Sequence, residues 1–167
     1  MKTLLDQLAN YADYHRSARN IATHLVGVPM IVLALFALMS RPVWVDGPVP
    51  LTPAVCFATV LVLYYLRLNL GMGLIMGVLY ALGLVFGTAV AALDDTTWLG
   101  VGVGGFVVGW VIQFVGHVFE GRKPAFFDDV IGLAIGPLFV VAEVLFKLGA
   151  YAELKAQIEA RSGPVRA

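Results

Sequence analysis

Three histidines, His15, His24 and His117, are the residues of this sequence best suited to bind a metal ion. Neutral imidazole is the commonest metal ligand in proteins. Glu120 follows His117 closely, so a helix that continues this far places both residues on one face. Histidines with a nearby carboxylate and open coordination positions suit non-haem Fe(II), and zinc takes similar ligands. The pattern predicts a metal centre with His15, His24, His117 and Glu120 as ligands, without choosing its metal.

His15 and His117 lie far apart in the sequence, so they form one site only if the fold brings them together. A single histidine at a membrane interface is more often a structural hydrogen-bonding residue than a metal ligand. The metal-site hypothesis therefore depends on the elements that position the three imidazoles.

Composition indicates a membrane protein. Of the 167 residues, 60% are hydrophobic and 13% are charged, whereas soluble domains have about 45–50% apolar and roughly 25% charged residues. The net charge of zero argues against a nucleic-acid partner. The single cysteine, Cys56, has no partner for a disulfide and suits a packing role.

Four apolar runs approach the length of about 20 residues that a membrane-spanning helix needs. We predict an all-α polytopic membrane protein, with one membrane domain over residues 1–167. Before the spans, apolar residues recur at three- and four-residue steps, which predicts an amphipathic surface helix. The predicted segments are the surface helix 1–20, the spans 24–40, 49–66, 70–93 and 98–117, and a fifth apolar stretch, 130–147.

Orientation follows from the lysines and arginines. If the N-terminus lies inside and the fifth stretch does not cross, every Lys and Arg except Arg41 falls on the inner side. We therefore predict four crossings, with 130–147 as a re-entrant or interfacial helix that contains the pair Gly136-Pro137. The expected location is a bacterial inner membrane, with the N-terminus and the histidines on the cytoplasmic side. Glycines four residues apart, such as Gly73 and Gly77, predict close helix packing. The sequence leaves open whether the protein forms a homo-oligomer.

An even number of crossings returns the chain to the same face, so all three histidines are predicted to meet there. Gln113 lies one turn before His117 on the same helical face, where it either orients a metal ligand or bonds a neighbouring helix. Glu143 lies in an apolar stretch and needs a partner, for which an arginine or a histidine of the site is suitable. Asn20 is predicted to support the site as well.

Two sequence blocks resemble the signatures of the 2-hydroxy fatty acid dioxygenase family. The first is Tyr14–Pro29, which contains His15 and His24, and the second runs from Trp110 to Ala125 and contains His117. The segment from Gly136-Pro137 to Phe146 is similar to the closing segment of that family.

The resemblance implies Fe(II)-dependent α-oxidation, in which a 2-hydroxy fatty acid and O₂ give an acid one carbon shorter at the membrane face. The family's histidines correspond to His15, His24 and His117. Three basic residues are suited to neutralise the substrate carboxylate, namely Arg16, Arg122 and Lys123. The implied partners are membrane lipid, the 2-hydroxy acid and O₂.

Two other functions stay open. One is a non-catalytic small membrane protein with structural histidines, which needs no metal. The other is a zinc-dependent membrane hydrolase that uses the same three histidines. A transporter is disfavoured because the four spans lack charged residues and no inverted repeat is seen.

Overall fold

The computed structural model describes residues 2–48, 50–124 and 131–167, and these residues form helices and no β-sheet. The predicted all-α class is confirmed. The elements are α1 (Leu4–Ala12), α2 (Ala18–Ser40), α3 (Pro53–Leu68), α4 (Leu70–Ala91), α5 (Asp95–Leu99), a π-helical segment (Gly100–Gly104), α6 (Gly105–Glu120), α7 (Gly132–Lys147) and α8 (Ala152–Ser162). Four predicted boundaries, at residues 1, 49, 125 and 130, lie outside the described residues.

Capping residues explain where several helices begin. Thr3 and Asp6 form a reciprocal capping box at the start of α1. The backbone N–H of Thr3 and the guanidinium of Arg161 lower the pKa of Asp6 to about 2. Asn69 ends α3 and also caps α4, where its side chain accepts a hydrogen bond from Met72 N at 3.0 Å. One polar residue therefore makes the tight turn between these two apolar helices.

Among the described residues, three helices are long and apolar enough to cross a bilayer: α2, α4 and the helix Asp95–Glu120. A fourth candidate is the pair α7 and α8, which is bent by 117°. Helix α3 has 16 residues, or about 24 Å at 1.5 Å per residue, which is shorter than a hydrocarbon core of about 30 Å. These lengths confirm a helical membrane protein with three or four candidate spans. The assignment of 49–66 as a crossing and of 130–147 as a re-entrant or interfacial helix stays a prediction.

Helices α2 and α6 extend beyond the predicted apolar windows. The window 24–40 lies inside α2, which begins earlier, at Ala18, and so includes His24 well within the helix. The window 98–117 continues to Glu120, so His117 and Glu120 share α6. Helix α8 was not expected from the sequence.

The described residues form two compact units, Met1–Val28 with Val111–Ala167, and Pro29–Trp110. In the second unit α3 and α4 pair as a hairpin around buried aromatic and methionine side chains. The hydroxyls of Tyr65 and Tyr80 lie 3.2 Å apart in this core. In the first unit α1 packs against α7 and α8, and Leu8 and Phe139 are fully buried or nearly so.

The α3–α4 hairpin provides a matched pair of glycines. A Cβ on Gly73 would lie 2.5 Å from Leu66 Cα and N, backbone atoms that cannot move without displacing α3, whereas a Cβ on Gly77 would lie 3.5 Å from Val62 Cγ1. We expect Gly73→Ala to destabilise the protein by about 1–3 kcal/mol through overpacking, and Gly77→Ala to have little effect. Thermal unfolding in detergent measures both, and equal shifts would contradict the close packing.

Candidate metal centre

The structure brings the three histidines together inside the first unit. One ring nitrogen each of His15, His24 and His117 lies within 4.8 Å of the others. All three residues are buried, with exposures of 0%, 2% and 7%. Among the described residues, no carboxylate or cysteine joins this group.

Backbone carbonyls orient two of the imidazoles. His15 Nδ1 lies 2.7 Å from Tyr11 O, and His24 Nδ1 lies 2.9 Å from Asn20 O. A carbonyl only accepts, so each Nδ1 carries the proton and donates it. Neutral imidazole has one N–H, so each Nε2 presents a lone pair. The two Nε2 atoms are 3.0 Å apart, and two facing lone pairs at this distance repel unless a cation lies beside them.

The third imidazole has an unsatisfied nitrogen. His117 Nδ1 is buried and has no hydrogen-bond partner. Buried polar atoms normally have a partner. A metal ion bound by one nitrogen of each ring would take up the two lone pairs of His15 and His24, so the residues fit a metal site. Three imidazoles suit Fe(II) and Zn(II) alike.

The surroundings of His15 keep its ring neutral. Burial, followed by the nearby His24, lowers the pKa of His15 well below its ordinary value. The Tyr11 ring stacks on the His15 ring with centroids 4.1 Å apart, and Phe139 lies at 5.6 Å. Neutral imidazole is the form that binds a metal.

Local structure explains why the histidines meet. Helix α1 ends at Ala12, and His15 lies in the short connection before α2 begins. On α6, Gly116 precedes His117 directly. A Cβ at Gly116 would overlap Thr23 Oγ1 and lie 2.5 Å from Asn20 Oδ1, so only glycine lets α6 approach α2 this closely beside the site. This role of Gly116 was not predicted from the sequence, although a glycine next to a candidate ligand is a readable signal.

Glu120 is a buried hydrogen-bond acceptor in this structure. Its Oε2 accepts from Ser17 N at 2.8 Å and from Asn20 Nδ2 at 3.0 Å, and its Oε1 accepts from Arg166 Nη2 at 2.6 Å. Glu120 is not in the group of three converging histidines, and its role as a metal ligand stays a prediction. Asn20 is fully buried, and its Oδ1 has no partner.

Arg16 and Glu143 form a buried ion pair. Arg16 Nη2 lies 3.9 Å from Glu143 Oε1, and both residues are buried. Arg16 also donates through Nε to Ala12 O and His15 O, and through Nη1 to Gly163 O. Burial lowers the pKa of Arg16, and the charge of Glu143 opposes this shift. Glu143 therefore has the arginine partner that a buried carboxylate requires.

The remaining predicted residues lie in different environments. Arg122 is exposed, donates to Asp13 O at 2.6 Å and lies with its guanidinium 4.7 Å from the Tyr14 ring centroid. Lys123 is exposed. Gln113 is buried, and its Nε2 has no hydrogen-bond partner. The substrate-binding and supporting roles of these residues stay predictions.

The C-terminal segment contributes contacts that the sequence analysis missed. The Arg166 backbone donates to Arg16 O at 2.7 Å and accepts from Ala18 N at 2.8 Å. A basic residue next to a chain end looks like a solvated tail, so no sequence signal indicated this contact.

Comparisons with known proteins agree with the resemblance noted in the sequence. The family model described as "2-hydroxy-palmitic acid dioxygenase Mpo1-like" matches residues 1–148. The 2-hydroxy-palmitic acid dioxygenase MPO1 of Saccharomyces cerevisiae is 35% identical over 161 residues, which cover 93% of this chain and 87% of the yeast protein. No solved structure matches the chain.

Proposed function

Because this chain belongs to the Mpo1-like family, we propose that it is a membrane-bound, Fe(II)-dependent 2-hydroxy fatty acid dioxygenase. The reaction is α-oxidation, in which a 2-hydroxy fatty acid and O₂ give an acid one carbon shorter. The observation that carries this proposal is the convergence of three buried imidazoles, His15, His24 and His117, within 4.8 Å.

The three histidines would hold the metal through one ring nitrogen each. Iron, when bound, would supply the activation of O₂ that a dioxygenase requires, and zinc has no redox chemistry of this kind. The protein itself orients the imidazoles and excludes water from the site. Carbonyls of Tyr11 and Asn20 fix two rings, and the stacked Tyr11 ring with Phe139 shields His15 from water.

The overall reaction balances without a separate reductant if the lost carbon leaves as carbon dioxide. The acid R–CH(OH)–COOH and O₂ then give R–COOH, CO₂ and H₂O. The electrons released by the two carbons reduce O₂ completely. No further electron donor is needed in the assay once the metal is in its reduced form.

The substrate is an amphiphile, so its chain can stay in lipid while its head reaches the histidines. We propose that Arg16, Arg122 and Lys123 attract or bind its carboxylate. Arg16 adjoins His15 in the sequence, and its Nη2, which faces Glu143 Oε1 at 3.9 Å, has no hydrogen bond. Arg122 and Lys123 are exposed just beyond the end of α6, where they are accessible to an incoming acid.

The distribution of lysines and arginines supports an orientation with the N-terminus and the histidines on the cytoplasmic side. We propose a bacterial inner membrane as the location. Whether the protein forms a homo-oligomer stays an open prediction. A Cys-accessibility experiment with added cysteines at Lys2 and at Trp44 tests the sidedness, because the proposal places these positions on opposite faces.

An oxygen-dependent assay tests the activity. The protein is purified in detergent, loaded anaerobically with Fe(II) and mixed with 2-hydroxyhexadecanoic acid and air. We expect pentadecanoic acid by mass spectrometry, and its loss when a chelator is added, when O₂ is left out or when Zn(II) replaces Fe(II). The Zn(II)-loaded protein is the matched control.

The other outcomes separate the alternatives. Bound iron without product would retain the metal centre and contradict the substrate assignment. A reaction that ignores O₂ and runs with Zn(II) would indicate a hydrolase. If the protein neither binds a metal nor forms product, the histidines have a structural role.

A further inference from the structure

The carboxylate of Glu120 is enclosed by donors. Its side chain has no exposed surface, and it accepts from Ser17 N, Asn20 Nδ2 and Arg166 Nη2. An ionised carboxylate has about four acceptor sites, so most of them are taken. Three hydrogen bonds leave about one acceptor site for a metal ion, and the buried charge of Glu120 is already compensated by its donors.

Two hydrogen-bond partners of Glu120, Ser17 and Asn20, adjoin His15 and His24, and Glu120 itself shares α6 with His117. Ser17 lies two residues after His15. Asn20 holds the Nδ1 of His24 through its carbonyl, at 2.9 Å. Glu120 itself is one helical turn beyond His117 on α6. One carboxylate thus ties together the three chain segments that carry the imidazoles.

The C-terminal segment completes the arrangement. Main-chain hydrogen bonds with Arg16 O and Ala18 N hold Arg166 alongside the connection before α2. From there its guanidinium reaches Glu120 Oε1 at 2.6 Å. Residue 166 lies beyond the part of the chain that the family model matches, residues 1–148.

We propose that Glu120 is a positioning residue of the metal centre and not a ligand, and that Arg166 is its charge partner. Glu120 acts through Ser17 and Asn20, which set the positions of His15 and His24 relative to His117. The inference rests on the proposed function only in that the three histidines bind a metal. It does not depend on the substrate or on turnover.

Cobalt(II) is the probe, because its visible spectrum reports the ligands and its titration reports affinity. We expect Glu120→Gln to weaken Co(II) binding by about 10–100-fold, as is usual when a partner that orients a ligand is lost. The spectrum at saturation should match that of the wild type. Arg166→Ala should weaken binding by up to about fivefold, since its side chain is 65% exposed and exposed partners contribute little.

Arg161→Ala is the matched control. Arg161 lies in the same C-terminal segment but pairs with Asp6, at 2.8 Å, so its loss should leave Co(II) affinity unchanged. A saturated Glu120→Gln spectrum typical of fewer protein ligands would show that Glu120 is a ligand. Wild-type affinity in both Glu120→Gln and Arg166→Ala, or no Co(II) binding by the wild type, would also overturn the proposal.

If Glu120→Gln does not fold, Arg166→Ala and Glu120→Asp still test the proposal through the same titration. Failure of the proposed function looks different, since it would appear as normal Co(II) binding with no product from the Fe(II)-loaded enzyme.

Discussion

Replacement of His117 by alanine is expected to abolish product formation and to reduce bound iron to background. Loss of a group that merely orients a ligand costs about 10–100-fold in metal affinity or activity, so loss of a ligand itself should cost more. Metal analysis of the purified variant and the pentadecanoic acid assay measure the two effects. Full metal loading with turnover in His117→Ala would contradict the proposed centre.

Variants of His24 test the metal centre further, because the two ring nitrogens of His24 have different roles. The Nδ1 donates to Asn20 O at 2.9 Å, which leaves Nε2 for the metal. Glutamine reaches about as far as Nε2, whereas asparagine reaches only as far as Nδ1. We expect His24→Gln to retain weak metal binding and His24→Asn to retain none. Lys155 is exposed on α8, so Lys155→Ala is the control and should bind as much metal as the wild type.

Replacement of Arg16 by methionine is expected to destabilise the protein by about 3–5 kcal/mol, because it leaves the buried Glu143 without its partner. The double variant Arg16→Met/Glu143→Met should recover much of this loss, since it removes both charges. Thermal unfolding in detergent measures each step. Both variants lose the hydrogen bonds that Arg16 donates to Ala12 O, His15 O and Gly163 O, so recovery should be incomplete.

Arg19→Met is the matched control, because Arg19 is exposed and exposed substitutions usually change stability by less than about 0.5 kcal/mol. A double variant no more stable than Arg16→Met would show that the ion pair is not the cause. A separate role in substrate binding would appear in Arg16→Lys as a higher KM, because lysine retains the charge and loses the planar guanidinium.

Composition and apolar windows predict the fold class well because a bilayer imposes a simple requirement on length and hydrophobicity. They predict helix ends less well. Helix α2 begins at Ala18 and includes Arg19 and Asn20, polar residues that a hydropathy window excludes. The helix continues through them because Glu120 accepts from the Asn20 side chain, while Arg19 is exposed.

Counting four crossings predicts that the histidines meet, since an even number returns the chain to one face. That count includes the short helix α3 as a crossing, so the topology behind it stays a prediction. The contacts of Glu120 with Ser17 and Arg166 do not follow from any pattern. They join residues distant in sequence, and such pairs leave no periodic trace in one chain. The spacing of Glu120 from His117 indicates a shared helix face, but it does not indicate whether the carboxylate binds a metal or holds its neighbours.

The carbonyl anchors of His15 and His24 have a consequence for how the protein can change during evolution. Every amino acid carries a backbone carbonyl, so a mutation at Tyr11 or Asn20 replaces the side chain and keeps the acceptor for the imidazole. The hydrogen bonds that orient these two rings therefore survive side-chain replacements that leave the local backbone in place, although at Asn20 a replacement also removes the hydrogen bond to Glu120. Side chains around the centre can diversify toward other substrates while two of its three imidazoles keep their orientation.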